Sequence, residues 1–513
     1  MRRGFSPAEM RLAALFLLIA ATELSAAPLF VERAKSLNID HRYTGGWTHF
    51  VGGGVAVFDC DGDNLPEVFA AGGAAPSLFL RNRSTPELVR YEVETHAALN
   101  LKAVTGAYPI DIDSDGWTDL VILRVGPNAI LKGGPDCAFA PFEGLNFDGG
   151  DGWTVSFSAT WEADQRLPTL AFGNYVDRDD SNGPFEACDD NDLFRPTGGA
   201  YLPAEKLAPG FCALSLLFTD WNRVGRADLR VSNDRHYYVR GGAEQMWAME
   251  ATPRLYSEAD GWRRLPIWGM GIATRDVNRD GAPDVYLTSM GDQKLQYRIT
   301  GDGPSYEDAL FAVGAAAHRP YFGDDGRPST GWHAEFGDVD NDGRDDLFVA
   351  KGNVEQMPSN AMEDPNNLLM QTEDGRFEEW GKVAKIASTA RSRGAALTDL
   401  NLDGALDLIV VNRNAPLEIH QNISANSGGW LLIDLQQPGK NRNAVGAWIE
   451  VRANGVVQAR EVTIGGGHAS GWLGPHHFGL GRAKKVSMRV IWPDGETSEW
   501  RDIEPRSHIT LAR

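Results

Sequence analysis

Five short acidic loops repeat along this chain of 513 residues, and each offers oxygen ligands at positions 1, 3, 5 and 9 of the loop. In chain order these ligands are Asp59, Asp61, Asp63 and Glu67; Asp111, Asp113, Asp115 and Asp119; Asp276, Asn278, Asp280 and Asp284; Asp338, Asp340, Asp342 and Asp346; and Asp399, Asn401, Asp403 and Asp407. Calcium takes about six to eight oxygens, and a loop that turns sharply at position 6 can surround it. Gly fills that position in four loops and Asn64 in the first, and both residue types tolerate positive φ. We therefore expect five calcium sites.

The EF-hand is the main alternative, because it shares this acidic opening. It requires Glu at position 12 and a helix on each side of the loop. Position 12 is apolar in all five loops, where it is Ala70, Ile122, Leu287, Val349 and Val410. The residues after each loop are rich in β-branched and aromatic types, which are typical of strands. The loops are therefore expected to join strands.

The spacing of the loops predicts a repeat architecture. The intact loops begin at residues 59, 111, 276, 338 and 399, and two degraded copies, which begin at Trp161 and Asp220, fill the long gap. With them the steps are 52, 50, 59, 56, 62 and 61 residues. Units of this size cannot bury a face alone, so we predict an all-β fold whose residues 27–426 form a seven-bladed β-propeller.

Ring closure is a further expectation for such a fold. Propellers avoid exposed sheet edges, because unpaired edge strands are open to association with other chains. We therefore expect the segment 29–51 to supply a strand to the last blade, beside residues 417–423.

The repeats resemble a known family. The acidic loops and the small-residue strands before them, at 52–58, 269–275 and 394–398, are similar to the FG-GAP or VCBS repeats of integrin-α-type propellers. The resemblance implies calcium as the cofactor, because the equivalent loops of that family bind it. Units three and four depart from the pattern, since neither keeps a full ligand set.

The tail carries a second resemblance. Residues 441–451, 465–467, 477–481 and 490–495 are similar to the ASPIC/UnbV domain that ends members of the cartilage acidic protein family. Alternating runs separated by Gly, Pro and Asn predict a small antiparallel β-sandwich over residues 427–513. The runs are 430–435, 447–451, 459–464, 486–492 and 508–511.

His468, His476 and His477 could bind a transition metal, but no carboxylate motif accompanies them, so we interpret them as structural.

The net charge of -21 limits the class of partner. Non-specific binding to nucleic acid or to an anionic membrane needs a basic face, so both are excluded. Five calcium ions would add +10 and bring the formal charge from -21 to -11. Much of the acidity therefore belongs to the predicted metal sites.

The N-terminus predicts export. Basic residues at 2–3, an apolar run at 12–21 and a small-residue cleavage site at 24–26 are typical of a signal peptide over residues 1–26, while Sec and twin-arginine routes both stay open. No other segment reaches the ~18 apolar residues of a membrane span. We expect a secreted or periplasmic protein after cleavage.

Four cysteines, Cys60, Cys137, Cys188 and Cys212, allow three pairings in an exported chain. We favour Cys188 with Cys212, because this bridge would close a 24-residue insertion rich in Pro, Gly and Asp. Four free thiols are the alternative. No C-x-x-C spacing is present, which argues against a zinc site.

No catalytic signature occurs in the chain, which favours a protein that is not an enzyme. The first hypothesis is a non-enzymatic binding or adhesion module that recognises an extracellular or cell-surface protein. The second is a calcium-dependent, lectin-like carbohydrate binder, and the third is an enzyme-associated protein of natural-product metabolism.

Long loops on rigid scaffolds often carry function, so the insertion at 174–211 is the predicted partner surface. Its candidate residues are Asp177, Asp179, Asp180, Asp189, Asp190 and the neighbouring Arg235 and His236.

Overall fold

The computed structural model of the protein describes residues 27–162, 165–181, 183–234, 240–316, 318–323, 326–424 and 428–513. The predicted export signal, together with Arg235 and His236, lies outside the described residues. Within the described ranges there is one short α-helix, α1 (Gly381–Ala384), and no helix is long and apolar enough to cross a membrane. Four 3-10 turns lie at Trp47–His49, Pro135–Cys137, Glu258–Asp260 and Phe311–Val313. The remaining elements are strands, which confirms the predicted all-β class.

Strand β1 (Phe30–Glu32) precedes a series of sheets that each contain four antiparallel strands. The first sheet contains β2 (Val55–Phe58), β3 (Glu67–Ala70), β4 (Leu78–Asn82) and β5 (Tyr91–Glu94), and the second contains β6 (Val104–Ile110), β7 (Asp119–Arg124), β8 (Ala129–Gly134) and β9 (Ala138–Pro141). The third contains β10 (Thr154–Thr160), β11 (Thr169–Asn174), β12 (Asn191–Phe194) and β15 (Glu205–Leu207), and its insertion forms the hairpin of β13 (Pro196–Thr197) and β14 (Ala200–Tyr201). The fourth contains β16 (Ala213–Thr219), β17 (Asp228–Asn233), β18 (Gln245–Ala248) and β19 (Arg254–Leu255).

Three further sheets follow the same antiparallel pattern. The fifth contains β20 (Gly269–Arg275), β21 (Asp284–Ser289), β22 (Lys294–Arg298) and β23 (Tyr306–Asp308), and the sixth contains β24 (Gly331–Gly337), β25 (Asp346–Lys351), β26 (Asn367–Gln371) and β27 (Phe377–Glu379). The seventh contains β28 (Ser392–Thr398), β29 (Asp407–Asn412), β30 (Glu418–Asn422) and β1. The first strand of each sheet contacts the first strand of the next, and β28 contacts β2, so the contacts form a closed cycle.

Strand β1 supplies the outer strand of the seventh sheet. It pairs antiparallel with β30, and Phe30 lies opposite Asn422. The amide of Ile423 also donates to the carbonyl oxygen of Leu29, at 2.8 Å. The prediction that the N-terminal segment pairs beside residues 417–423 is therefore confirmed.

The tail contributes two sheets and one inserted strand. Its strands are β31 (Gly429–Gln436), β32 (Trp448–Ala453), β33 (Val456–Glu461), β34 (Gly471–Leu473), β35 (His476–Gly481), β36 (Val486–Ile491), β37 (Arg501–Asp502) and β38 (Ser507–Ala512). One sheet has the order β35-β31-β38 and the other β33-β32-β36-β37. Each of the five predicted runs overlaps a strand, although the run 459–464 is a strand only as far as Glu461. The expectation that every strand pair is antiparallel is wrong, because β31 and β38 are parallel, which the long connection between them permits.

The segment 464–473 of the tail passes through the centre of the cycle. Strand β34 pairs in parallel with β2, and single bridges join the segment to Ala107, Ala159, Leu217 and Ile272 on four other first strands. The two remaining first strands, β24 and β28, contact the segment through side chains. On β24, His333 Nδ1 accepts from the amide of His468 at 3.1 Å, and on β28, Thr398 accepts from Trp472 at 3.0 Å. Every first strand therefore contacts this segment of the tail. A domain boundary placed at residue 426 does not predict these contacts.

This central segment explains the small residues of the first strands. A Cβ atom on Gly106 would lie 2.3 Å from the carbonyl oxygen of Ala469, and one on Gly394 would lie 2.3 Å from Ser470 Oγ. Side chains at these positions would collide with the tail backbone or with its hydroxyl group. Glycine is therefore required for close packing, not for an unusual backbone angle.

Candidate metal centres

All five intact acidic loops occupy the same place in their sheets. Each joins the first strand to the second, and the residue at position 9 is the first residue of that second strand. These residues are Glu67, Asp119, Asp284, Asp346 and Asp407. The loops therefore lie at the same end of their sheets.

The carboxylate at position 9 anchors each loop to its sheet. Asp407 accepts hydrogen bonds from the amides of Leu400 at 3.0 Å and Asn422 at 2.7 Å. One donor belongs to position 2 of the loop and the other to the third strand. The same pair of contacts forms in the other four loops, and all five side chains are buried. Position 9 therefore has a structural role that the ligand pattern alone did not predict.

The acids at positions 1 and 5 close the loop on itself. Asp399 accepts from the amides of Asp403 at 3.2 Å and Gly404 at 2.8 Å, and Asp403 accepts from Ala405 at 2.8 Å. Gly404 has a φ of 86°, and Asn64 has a φ of 68° at the same position of the first loop. The sharp turn predicted at position 6 is therefore present.

The oxygen donors fit a hard divalent cation. In three loops, ligand oxygens of three acids lie within 4.8 Å of one another; the groups are Asp59, Asp61 and Glu67; Asp111, Asp113 and Asp115; and Asp338, Asp340 and Asp346. Moreover, Asp113 Oδ1, Asp276 Oδ1 and Asn401 Oδ1 are buried and accept no hydrogen bond within the described part of the chain. Buried polar atoms normally have partners, and calcium prefers such oxygens. In these three loops the structure thus brings three of the four predicted ligands together, and the fourth (Asp63, Asp119 or Asp342) is not part of the group.

The electrostatics of the loops favour a bound cation. Burial, followed by smaller effects of neighbouring acids, raises the pKa of Glu67 and of Asp119 to about 8. Burial also raises the pKa of Asp399 to about 7, and the charge of Asp403 adds to the effect. The ionised forms are therefore unfavourable in the protein alone. A divalent cation would reverse this preference, because an opposite charge lowers the pKa of a carboxyl group.

Basic side chains enter two of the loops from the third strand of the same sheet. Lys132 Nζ lies 2.6 Å from Asp115 Oδ2 and also contacts Asp113, while Arg81 Nη1 lies 2.7 Å from Asp61 Oδ2. These contacts could not be read from the motif, since the two residues lie about twenty positions further along the chain. In the loops that begin at residues 276 and 399, no lysine or arginine among the described residues pairs with an acidic ligand.

The fourth unit shows that the loop shape does not require the full ligand set. Asp220 accepts from the amides of Val224 and Gly225, both at 2.8 Å. At position 9, Asp228 accepts from the amide of Met249 at 2.9 Å and from Trp221 Nε1 at 2.8 Å. The indole N–H of Trp221 therefore contacts the carboxylate at position 9, and Val224 stands where the intact loops have an acid at position 5.

The degraded loop of the third unit carries Glu162 and Asp164, neither of them at a ligand position of the motif. Glu162 is paired with Arg195 at 2.9 Å and accepts from the hydroxyl group of Thr169 at 2.6 Å. Residues 163 and 164 of this loop lie outside the described ranges. Of the two acids, Glu162 is thus neutralised by an arginine.

Two of the three tail histidines contact the backbone of other segments. His468 Nε2 accepts from the amide of Gly52 at 3.1 Å, and His477 contacts the carbonyl oxygen of Gly404 at 3.2 Å. Burial lowers the pKa of His468, His476 and His477 to about 3, so they are neutral. Within the described residues they form no metal-binding group.

Two disulfides are present. Cys188 is bonded to Cys212, as predicted, and Cys60 is bonded to Cys137. Cys60 is position 2 of the first acidic loop, so its bridge links that loop to the turn before β9 of the second sheet. The alternative of four free thiols is therefore wrong.

The acids of the insertion are distributed between surface and interior. Asp177 and Asp179 are exposed, whereas Asp189 and Asp190 are half-buried. Asp190 accepts from the amide of Gly210 at 2.7 Å. Within the described part of the predicted partner surface, the exposed acids follow directly after β11.

Two family models match parts of the chain. The FG-GAP-like repeat family matches residues 276–349 and 338–410, and the ASPIC and UnbV family matches residues 437–513. The chain therefore carries FG-GAP-like repeats followed by an ASPIC and UnbV segment, which confirms the predicted resemblance.

The curated relatives are similar over part of their length. Cartilage acidic protein 1 of Mus musculus is 27% identical over 234 residues, which cover 44% of this chain and 34% of that protein. The Homo sapiens protein of the same name is 26% identical over 234 residues, which cover 44% of this chain and 33% of that protein. The match thus spans about a third of the length of these relatives.

Solved structures with distant similarity include BBS1N in complex with ARL6DN, at 9% identity and a TM-score of 0.44, over 76% of this chain and 97% of that chain. An Agrocybe aegerita lectin that recognises non-reducing terminal N-acetylglucosamine aligns at 13% identity and a TM-score of 0.38. This alignment covers 78% of the present chain and 94% of the lectin.

Proposed function

We propose that the protein is a seven-bladed, calcium-binding β-propeller with a C-terminal β-sandwich, and that it acts as an exported, non-enzymatic binding module. The partner we propose is an extracellular or cell-surface protein. The observation that carries the calcium assignment is the set of orphaned oxygens, Asp113 Oδ1, Asp276 Oδ1 and Asn401 Oδ1, each buried in an acidic loop. A bound cation would give each of them a partner.

The role of calcium in this proposal is structural. Each loop concentrates three or four acidic ligands between two strands of one sheet, and burial opposes their ionisation. Calcium would compensate these charges and hold each loop closed. The carboxylates already accept backbone N–H groups, which favours a role in holding the loops rather than in proton transfer.

Calcium titration of the metal-free mature protein tests the assignment. We expect five bound ions by isothermal titration calorimetry, and a melting temperature that rises with calcium concentration by mass action. Fewer than three bound ions, or a melting temperature that calcium does not change, would contradict the five-site proposal.

A matched pair of variants identifies the sites. Asp399 and Asp220 both stand at position 1 and both accept backbone amides of their own loop. Asp399→Ala is expected to lower the number of bound ions by one. Asp220→Ala, in the degraded loop, is expected to leave the number unchanged.

A further inference from the structure

An aromatic cup lies at the end of the sheets opposite the acidic loops. Its cavity has a volume of about 490 Å³. Trp153, Met270 and Trp332 stand at the start of first strands, and Tyr175 and Met290 follow second strands. Because the strands are antiparallel, these positions share one end of the sheets, and the acidic loops occupy the other. The cup is therefore separate from the candidate metal centres.

Contacts between aromatic side chains hold the walls of the cup in place. Trp153 is 1% exposed, and its ring centroid lies 4.8 Å from those of Trp47 and Tyr175 in edge-to-face contacts. Trp332 is fully buried and donates through Nε1 to the carbonyl oxygen of Gly352 at 2.7 Å. The site is therefore preformed, as small-molecule sites usually are.

Few of the residues around the cup reach the protein surface. Of the described residues that line it, only Trp47, Gln356 and Pro358 are exposed. Three exposed residues cannot supply the roughly 800 Å² that a stable protein interface buries on each partner. A small molecule can be enclosed on most sides, and its site typically has a volume of about 300–1,000 Å³. The cup therefore fits a small molecule.

The two acidic side chains that line the cup are already engaged. Glu355 is paired with Arg413 at 2.5 Å and with Arg391 at 3.3 Å. Asp234 accepts from the hydroxyl group of Tyr175 at 2.6 Å and takes part in a further interaction. Neither carboxylate is therefore free to pair with a positive charge on a ligand.

Two aromatic rings of the cup already face arginine side chains. The Arg393 guanidinium lies 4.0 Å from the ring centroid of Trp332, and that of Arg413 lies 4.8 Å from the ring centroid of Phe50. These groups already use the attraction of each ring for positive charge. No lysine or arginine lines the cavity among the described residues, so an anion would lose its hydration without gaining a charged donor. The cup therefore favours an uncharged molecule.

One buried donor of the cup has no partner. Trp153 Nε1 makes no hydrogen bond within the described part of the chain, although buried indole N–H groups normally find an acceptor. An oxygen atom of a ligand would supply this acceptor. Met270 and Met290 add apolar surface that adapts to the shape of a ligand.

We propose that this cup binds a small uncharged molecule with an aromatic or alicyclic body and an acceptor oxygen, for example a ketone, an ester or a lactone. The body of the ligand contacts the aromatic and methionine side chains, and its oxygen accepts from Trp153 Nε1. A free sugar fits less well, because its many hydroxyl groups would face few polar side chains. This ligand is distinct from the calcium and the protein partner proposed above, and the inference depends on neither.

The first test compares uncharged and charged probes of similar size on the mature protein in calcium-containing buffer. Acetophenone is the uncharged probe with an acceptor, and benzoate and benzyltrimethylammonium are the charged ones. By isothermal titration calorimetry we expect acetophenone to bind at least about tenfold more tightly than either ion, because neither ion finds a free counter-charge in the cup. The proposal is overturned if either ion or N-acetylglucosamine binds as tightly as acetophenone, or if acetophenone does not bind.

A second test addresses the indole donor. Ethylbenzene has the shape of acetophenone but lacks the acceptor oxygen. In Trp153→Phe we expect the ratio of the affinities for acetophenone and ethylbenzene to fall at least about threefold, since one hydrogen bond is lost. Trp247→Phe is the matched control, because Trp247 Nε1 is also buried without an acceptor but does not line the cup. An unchanged ratio in Trp153→Phe, or an equal fall in both variants, would show that this donor does not select the ligand.

A third pair of variants locates the binding. Trp47→Ala, at the opening of the cup, is expected to weaken the binding of both uncharged probes at least about fivefold through the loss of aromatic contact. Phe311→Ala, which removes an 80% exposed aromatic side chain outside the cup, is expected to leave both affinities unchanged. Equal effects of the two changes would place the binding elsewhere. Melting temperatures show whether each variant is folded, and calcium stoichiometry is measured separately, so failure of this proposal is distinguished from failure of the calcium proposal.

Discussion

Lys132 places its Nζ atom 2.6 Å from Asp115 Oδ2 in the second acidic loop, and the same ammonium group contacts Asp113. A divalent ion bound by these two acids would compete directly with this lysine. The position of a single basic side chain on β8 therefore sets the second loop apart from the loops at residues 276 and 399.

Lys132→Met is expected to increase the calcium affinity of the second loop. A half-exposed ion pair contributes at most about 1 kcal/mol, which corresponds to about a fivefold change in affinity. Titration calorimetry of the variant checks this, with Lys206→Met as the control, because Lys206 pairs with Asp192 outside the loops. Unchanged or weaker calcium binding in Lys132→Met would contradict the competition.

Asp407→Ala is expected to destabilise the protein even without calcium. The change leaves the amides of Leu400 and Asn422 buried without acceptors, which costs about 2–5 kcal/mol for two such groups. Asp403→Ala is the control, because it removes a predicted calcium ligand that accepts only one backbone amide, that of Ala405, besides the side-chain amide of Asn401. Urea unfolding in metal-free buffer compares the free energies of unfolding of the two variants. Equal stabilities would show that position 9 does not anchor the sheet.

The metal-free protein is expected to lose stability as the pH rises from about 4 to about 8. Burial raises the folded-state pKa of Asp276 to about 6, that of Asp284 to about 7 and that of Glu67 to about 8, whereas such groups have a pKa of about 4 in the unfolded chain. In this window the folded state binds more protons than the unfolded state, so the free energy of unfolding falls as pH rises.

Calcium is expected to remove this pH dependence, because the ion stabilises the ionised carboxylates. Urea unfolding curves at pH 5, 6, 7 and 8, with and without calcium, provide the measurement. A metal-free protein that is more stable at pH 8 than at pH 6 would show that burial of these carboxyl groups does not control the pH dependence.

Gly106→Ala is expected to destabilise the centre of the fold. The added Cβ would lie 2.3 Å from the carbonyl oxygen of Ala469, and this backbone atom cannot move aside alone. Overpacking of this kind costs about 1–3 kcal/mol. Gly46→Ala is the matched control, because no atom lies within 4 Å of its Cβ position and its φ is -79°. Thermal melts that shift equally for both variants would show that the tail does not fill the centre.

Local patterns in the sequence were enough to predict the repeats. Acidic residues at alternate positions, Gly404 and its equivalents at position 6, and apolar residues after each loop recur with a nearly constant step, because each unit uses the same strand–loop–strand geometry. The pairing of β1 with β30 could also be predicted, since an open ring would leave a strand edge unpaired. The disulfide between Cys188 and Cys212 closes one insertion and could likewise be predicted. Binding of calcium itself stays a prediction.

Only the tertiary structure decided the contacts between distant parts of the chain. The sequence by itself specified the all-β repeats, the twenty candidate ligands and their order, because these depend on neighbours within a few residues. Lys132 and Arg81 enter the loops from a third strand, Trp153 and Trp332 line one cavity from different sheets, and the segment 464–473 passes through the centre of the cycle. Such contacts depend on how strands pack around a common axis, and no spacing along the chain encodes that geometry.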